Sequence, residues 1–188
     1  MSLIIKKATP NYYLATSVLI LHAMDELIYY YLGKEDKGEA KKFLIQEFQK
    51  EDSLYSYRNT FLAFLGDKLV GALIAYDGKK HKAWQKKLVN TLALEYNFNN
   101  TLTPETQAGH FYLDSISVDP DYRGQKIGSE LIKYAESYAR DYSFKHLGLL
   151  VDLENPKAKR LYERLGFKLD HTVHLGEHEY YYLKKALH

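Results

Sequence analysis

Three groups of residues in this chain have the types and spacing to do chemistry. The first is the run Arg123-Gly124-Gln125-Lys126-Ile127-Gly128, followed by Ser129. It sits between a strand-like segment and an amphipathic one, so it enters a helix. The first N–H groups of a helix lack internal partners, and the helix dipole adds partial positive charge there. Glycines let those groups approach an anion closely, and the Arg123 guanidinium adds a forked cationic donor. The run suits a phosphate; it reads equally well as a glycine-bearing turn that merely opens a helix. Ser129 can donate to a phosphate or serve as an ordinary first-turn serine. A Rossmann dinucleotide site is disfavoured: the glycine spacing differs, and Tyr142-Ser143 stand where a ribose-binding acid belongs.

The second group centres on Asp114, an acid in the otherwise apolar or hydroxyl-bearing run 111–118. Aspartate is depleted in strands. Asp114 is therefore either an acid–base group or a side chain satisfied by backbone at a β-bulge, with Tyr112 as the reserve base. The third group is His171, His174 and His178. Alternation puts His171 and His174 on opposite faces of a strand, and His178 lies beyond a turn at Gly176-Glu177. With cysteine absent, no metal is expected. The same absence removes disulfides and a thiol nucleophile.

These residues need elements to position them. Apolar runs at 3–7, 60–65 and 68–76 read as strands, the last two joined by the hairpin residues Gly66-Asp67. Helical periodicity covers 12–32 and 38–51. Residues 77–109 are an unusually long connection between strands, carrying a helix near 83–95 and an Asn/Thr-rich loop over 97–106. Connections of that length are usually functional or mobile. Lys79, Lys80, Lys82, Lys86 and Lys87 read as a solvated helix face rather than a nucleic-acid patch. Strands follow at 110–118, 147–151, 167–175 and 178–183, with helices at 128–142 and 156–165. That alternation implies a mixed sheet with helices on its faces.

The 188 residues fit a single domain, 1–188, able to bury about 70% of its unfolded surface. A net charge of +2 is too weak to argue for nucleic acid or an anionic membrane. No signal peptide is apparent, and the apolar stretch 12–24 is too short and interrupted to span a bilayer, so a cytoplasmic protein without membrane partners is expected.

One further run decides the reading. Asn155-Pro156-Lys157-Ala158-Lys159-Arg160-Leu161-Tyr162-Glu163-Arg164-Leu165-Gly166-Phe167 opens with an N-cap Asn and a Pro in the first helical position. It resembles the second signature of the GNAT superfamily of N-acetyltransferases. The upstream run Val118-Asp119-Pro120-Asp121-Tyr122-Arg123-Gly124-Gln125-Lys126-Ile127-Gly128 is similar to that family's acetyl-CoA motif, at the separation of one helix and one strand that the family requires. The resemblance implies an α/β (α+β) fold with a mixed, mostly antiparallel sheet of about seven strands. Helices flank the sheet, and a helical insertion precedes the cofactor-binding strand. One position departs from the pattern: Lys126 stands where the middle glycine belongs, and a left-handed lysine there costs about 1–2 kcal/mol. It can also add a cation beside a phosphate.

The resemblance implies transfer of an acetyl group from acetyl-CoA to a primary amine by direct attack. Arg123 to Ser129 would hold the pyrophosphate; the backbone at Ile116 and Val118, with the Asn155 side chain, would hold the pantetheine arm. Tyr162 holds the place of the family's helix tyrosine, the acid for the departing thiolate, although its spacing with Ala158 and Leu165 also suits a core aromatic. Asp114 would be the base. The acceptor is a small-molecule or protein amine, and the Tyr29-Tyr30-Tyr31 region and residues 77–109 would shape its groove. The insertion would act as a lid with Trp84 and Tyr96 as walls. A homodimer is compatible with this reading. The rivals are a non-catalytic acyl-CoA-binding module with a degenerate site and, more remotely, a nucleotide-binding α/β protein.

Overall fold

A computed structural model describes residues 2–175 and 178–187. The expected turn at Gly176-Glu177 lies outside the described residues. The elements run β1 (Leu3–Lys7), α1 (Tyr13–Leu32), α2 (Lys37–Gln49), β2 (Thr60–Leu65), β3 (Lys68–Asp77) and α3 (Gly78–Tyr96). They continue with β4 (His110–Val118), α4 (Ile127–Asp141), β5 (His146–Asp152), α5 (Pro156–Arg164), β6 (Lys168–Leu175) and β7 (His178–Ala186). The sheet has seven strands in the order β1-β2-β3-β4-β5-β7-β6. Among the described residues only the β4–β5 pair is parallel. The mixed, mostly antiparallel sheet expected from the sequence is present. No described helix is long and apolar enough to cross a membrane.

Each face of the sheet has its own core. On one face Ile74, Tyr76, Tyr112 and Tyr182 pack under Ile28 of α1, Phe43 and Leu44 of α2, and Leu88 and Leu92 of α3. On the other, Leu73, Ala75, Phe111, Leu113, Leu149 and Val151 pack under Leu131, Ile132 and Ala135 of α4, with Ala158 and Tyr162 of α5 alongside. Burying one such aliphatic side chain stabilises the fold by about 1.5–3 kcal/mol.

Two helices differ from the periodicity. The helix expected near 83–95 begins five residues earlier, because Asp77 is both the last residue of β3 and the N-cap of α3, accepting the Lys79 N–H at 2.9 Å. The helix expected over 12–32 is kinked at Met24, whose angles (φ −149°, ψ 32°) lie outside the helical region.

The insertion is no detachable flap. Leu88, Leu92 and Phe98 are buried in the first core, and Phe98 meets Tyr30 and Tyr31 of α1 edge-on at 5.5 and 5.8 Å. Its two ends also touch: a Cβ on Gly78 would stand 2.2 Å from the Gln107 carbonyl oxygen. Backbone must shift to admit it, so Gly78→Ala is expected to cost about 1–3 kcal/mol. The check is a thermal denaturation midpoint lower by several degrees; an unchanged midpoint refutes the close approach.

Candidate active site

Parallel pairing of β4 with β5 runs only from His110↔His146 to Leu113↔Leu149. Beyond those rungs β4 continues to Val118 and β5 to Asp152, each still paired on its outer side, to β3 and β7. The two strands therefore diverge toward their carboxyl ends. Such a crevice, outside the carboxyl ends of parallel strands, is where open α/β sheets bind ligands. Helices α4 and α5 both begin just past it.

Asp114 stands at the mouth of the divergence, and the register shows why it is there. Ala75 pairs with Leu113 and Ile74 with Ser115, which leaves Asp114 as an extra residue, a β-bulge. The bulge reverses the alternation of β4. Before it Phe111 and Leu113 face α4; after it Ile116 and Val118 do. The sequence allowed for a bulge with the carboxylate satisfied by backbone. The bulge is present, but the partner is a side chain: the Tyr76 hydroxyl donates to Asp114 Oδ2 at 2.6 Å.

A chain of hydrogen bonds runs back from there. Tyr76 Oη lies 3.0 Å from His81 Nδ1 on α3, and His81 Nε2 accepts the backbone N–H of Glu105 at 3.1 Å. Glu105 Oε2 in turn accepts from the Tyr112 hydroxyl at 2.7 Å, returning the chain to β4. Because a backbone N–H can only donate, Nε2 must present its lone pair. The neutral imidazole then carries its proton on Nδ1 and donates to Tyr76. Burial pushes the His81 imidazole down to about 4, so it stays neutral.

The carboxyls shift the other way. Burial, reinforced by the nearby Glu105 charge, pushes Asp114 up to about 8 against the opposing Tyr76 hydrogen bond. Burial also raises Glu105, with the Tyr112 bond opposing. Tyr112 is a poor base: burial holds its hydroxyl well above the ordinary range, and the proton is already given to Glu105.

The loop 97–109 covers this cluster and is tied down by polar contacts. Asn100 donates to the Tyr30 hydroxyl at 2.9 Å, Gln85 to the Thr103 carbonyl at 3.0 Å, and Thr106 Oγ1 lies 3.2 Å from Tyr182 Oη. Trp84 packs edge-on against Tyr76 at 5.7 Å. Tyr96 instead turns to Phe43 of α2 at 6.0 Å, and Tyr31 of the tyrosine run faces the carboxylates. The basic run of α3 is exposed to solvent, as its spacing suggested.

The residues expected to meet the cofactor lie along the divergence. Gly124 (φ +80°) and Lys126 (φ +63°) are both left-handed, the latter at the N-cap of α4. No side chain caps α4, so the N–H groups at Ile127, Gly128 and Ser129 begin the helix without a side-chain acceptor. A Cβ on Gly124 would meet nothing within 4 Å, and one on Gly128 only the ends of Ile116 and Val118 at 3.7 Å. Gln125 is exposed, and Arg123 folds back so that its Nε reaches the Val118 carbonyl at 3.3 Å. Asn155 spends its side-chain oxygen on the Ala158 N–H at 3.0 Å, leaving only its amide nitrogen to reach outward. Tyr162 packs edge-on against Phe167 at 6.0 Å; burial raises its hydroxyl, and no described residue hydrogen-bonds it.

Lys126 allows a direct test of the loop. A left-handed lysine costs about 1–2 kcal/mol, and glycine returns part of that through its looser unfolded chain. Lys126→Gly is therefore expected to raise the thermal midpoint by about 1–4 °C. A lower midpoint would show that the lysine side chain stabilises the loop by some other contact.

Other features do not converge here. A cavity of about 590 Å³ lined by Asp77, His110, Tyr142 and His146 lies at the opposite end of β4. His174 pairs with Glu179 at 2.8 Å and His171 with Asp170 at 2.9 Å, and the described residues contain no cluster of three or more metal-ligating side chains.

The sequence profile of the acetyltransferase (GNAT) family matches residues 23–167. The chain belongs to the GNAT acetyltransferase family. It is 43% identical over 61 residues to an N-acetyltransferase of Methanocaldococcus jannaschii, across 32% of this chain and 27% of that one. It is 38% identical over 78 residues to thialysine N-epsilon-acetyltransferase of Sus scrofa, across 42% of this chain and 45% of that one. The chain thus spans less than half the length of these curated relatives. An acetyltransferase crystal structure superposes with a TM-score of 0.81 at 25% identity, covering 98% of this chain and 100% of that one. Both curated relatives carry the name of an N-acetyltransferase.

Three residues at the site, Tyr76, His81 and Glu105, escaped the sequence reading. A signal for His81 existed: with Gln85, Leu88 and Leu92 it keeps helical spacing on the buried face of α3. Glu105 sits in an aperiodic loop and had none.

Proposed function

We propose that the chain transfers an acetyl group from acetyl-CoA to a primary amine, with Asp114 as base and Tyr162 as acid. The observation that carries this reading is the placement of Asp114 in a bulge at the point where β4 and β5 part. The family supplies the acetyl group donor, and the site suits it. A helix start without a side-chain cap, small residues at 124 and 128, and the cations of Arg123 and Lys126 fit a pyrophosphate. The unpaired edge of β4 at Ile116 and Val118 fits an extended amide arm, as an added strand would pair. The Asn155 amide nitrogen can reach the same arm.

Acetyl-CoA, when bound, would supply a thioester carbonyl for the amine to attack. A lysine-like amine has a pKa near 10 and must lose a proton to react. Asp114 holds a proton about four units more tightly than an ordinary aspartate, which narrows its gap to the amine. No hydrogen bond among the described residues reaches its Oδ1, so that oxygen is free to take the proton. Backbone N–H groups on the open edge can meet the charge that develops on the carbonyl oxygen. Tyr162 lies on the α4 face and Asp114's partners on the α1–α3 face. On this reading the amine would approach from the Asp114 side and the thiol leaving group would meet Tyr162 from the other.

A relative named for the ε-nitrogen of thialysine supports a primary amine as acceptor. The cytoplasm is the expected location. A thiol-release assay with acetyl-CoA and a panel of diamines, amino acids, amino sugars and peptide amines tests the proposal. Amine-dependent release is expected. Binding of CoA without release across the panel would refute turnover and leave a non-catalytic acyl-CoA-binding module.

A further inference from the structure

The hydrogen bonds around Asp114 form a ring that starts and ends on β4 but passes through the insertion. Its members are Asp114, Tyr76, His81, Glu105 and Tyr112. Two of the five, His81 and Glu105, belong to residues 78–109. The geometry gives each a distinct task. His81 has no freedom of tautomer, since its Nε2 is held by the Glu105 N–H. Its Nδ1–H fills an acceptor position of the Tyr76 oxygen and so points the Tyr76 proton at Asp114 Oδ2. Oδ1 carries no hydrogen bond from the described residues. Glu105 brings a second carboxylate close enough to Asp114 to act on it directly, and Tyr112 fixes where that carboxylate sits.

We propose that His81 and Glu105 are positioning residues for proton removal at Asp114, so that the insertion is part of the machinery that takes the amine proton and more than a cover over it. His81 acts through Tyr76 on the orientation of the carboxylate. Glu105 acts through its charge on the readiness of Asp114 to hold a proton. This inference rests on the acetyl-transfer reading for its function, but not for its geometry.

Among the described residues, the titratable groups that face Asp114 are few. They are Tyr31 from α1, Tyr55 from the α2–β2 connection, Tyr76 from β3, Tyr112 from β4 and Glu105 from the loop, with His81 behind Tyr76. No cation among the described residues pairs with either carboxylate. Removing one member of the set therefore has a sign that can be stated. Glu105→Gln deletes a negative charge and should move the Asp114 titration to lower pH. Tyr76→Phe deletes a donor to the carboxylate and should move it to higher pH.

The experiment reads the Asp114 titration directly, by carbon-13 NMR of the side-chain carboxyl in the full chain, alongside the pH dependence of kcat with a responsive amine. The expected result is a downward displacement of about one unit in Glu105→Gln and an upward one in Tyr76→Phe, with the kcat limb following both. For His81, the pair His81→Leu and His81→Asn separates orientation from packing, because Asn keeps an N–H near the Nδ1 position. His81→Leu should lower kcat about tenfold, His81→Asn should recover most of that, and the KM for acetyl-CoA should stay constant in both. An Asp114 titration that does not move in Glu105→Gln overturns the role of Glu105. Equal kcat in the two His81 variants overturns the role of His81. A wild-type chain that releases no thiol with any amine refutes acetyl transfer instead. The carbon-13 titrations of Glu105→Gln and Tyr76→Phe still decide the inference in that case, and loss of both displacements would sink it.

Discussion

Asp114→Asn is expected to slow acetyl transfer by about 10²- to 10⁴-fold and, at the same time, to make the folded chain more stable above neutral pH. The first effect follows from removing the proposed proton acceptor while leaving the bulge and the Tyr76 contact in place, since an amide oxygen still accepts from that hydroxyl. The second follows from linkage. Folding raises the proton affinity of Asp114 from an ordinary 3.8 to about 8. Between those values the unfolded chain has released the proton and the folded chain has kept it. Each pH unit in that window costs the wild type about 1.4 kcal/mol of stability. The stability is fully present below about pH 4, falls as pH rises, and levels off once pH passes about 8. Asparagine has no proton to lose and escapes the decline. The Asn variant should therefore match the wild type near pH 4 and exceed it by roughly 2–5 kcal/mol at pH 8.5. Chemical denaturation at the two pH values checks this. A constant difference between the proteins across that range would mean that Asp114 titrates like an exposed aspartate.

Tyr162→Phe is expected to lower the rate of the chemical step about 100-fold while changing acetyl-CoA affinity by less than about twofold. The ring is packed on Phe167 and in the core under α4, and phenylalanine fills the same space. What disappears is one hydroxyl proton that no described side chain competes for. Burial raises the proton affinity of that hydroxyl, so it remains protonated throughout the working range and can serve a leaving thiolate. Single-turnover measurements with acetyl-CoA binding measured separately distinguish the two roles. Equal losses in rate and affinity would assign Tyr162 to packing alone.

Much of the architecture was legible in the sequence because it is written in local periods. The face made by Leu131, Ala135 and the residues around them declares α4, and Asn155-Pro156 declares the start of α5 through capping chemistry. Gly66-Asp67 marks the β2–β3 hairpin. The left-handed angle suspected at Lys126 is present. What the sequence hid is long-range. Tyr76 and Asp114 are 38 residues apart and His81 and Glu105 are 24 apart, and nothing local ties either pair together. The early start of α3 was missed because its first turn is basic and glycine-led, and only the Asp77 cap reveals it. Tyr96 was placed at the site by residue type alone; its helix phase points it at α2.

The extra residue in β4 has a consequence for how this chain relates to its kin. If Asp114 were struck out, Leu113, Ile116 and Val118 would still alternate correctly, with Ser115 taking the intervening place opposite β3. The strand is complete without the acid, and the apolar layer under α4 would not notice its absence. Gain or loss of the proposed base is therefore a single-codon event that leaves the core's phase intact. A relative without that codon must be aligned here with a gap, and letter-for-letter pairing across β4 would compare residues that point to opposite sides of the sheet.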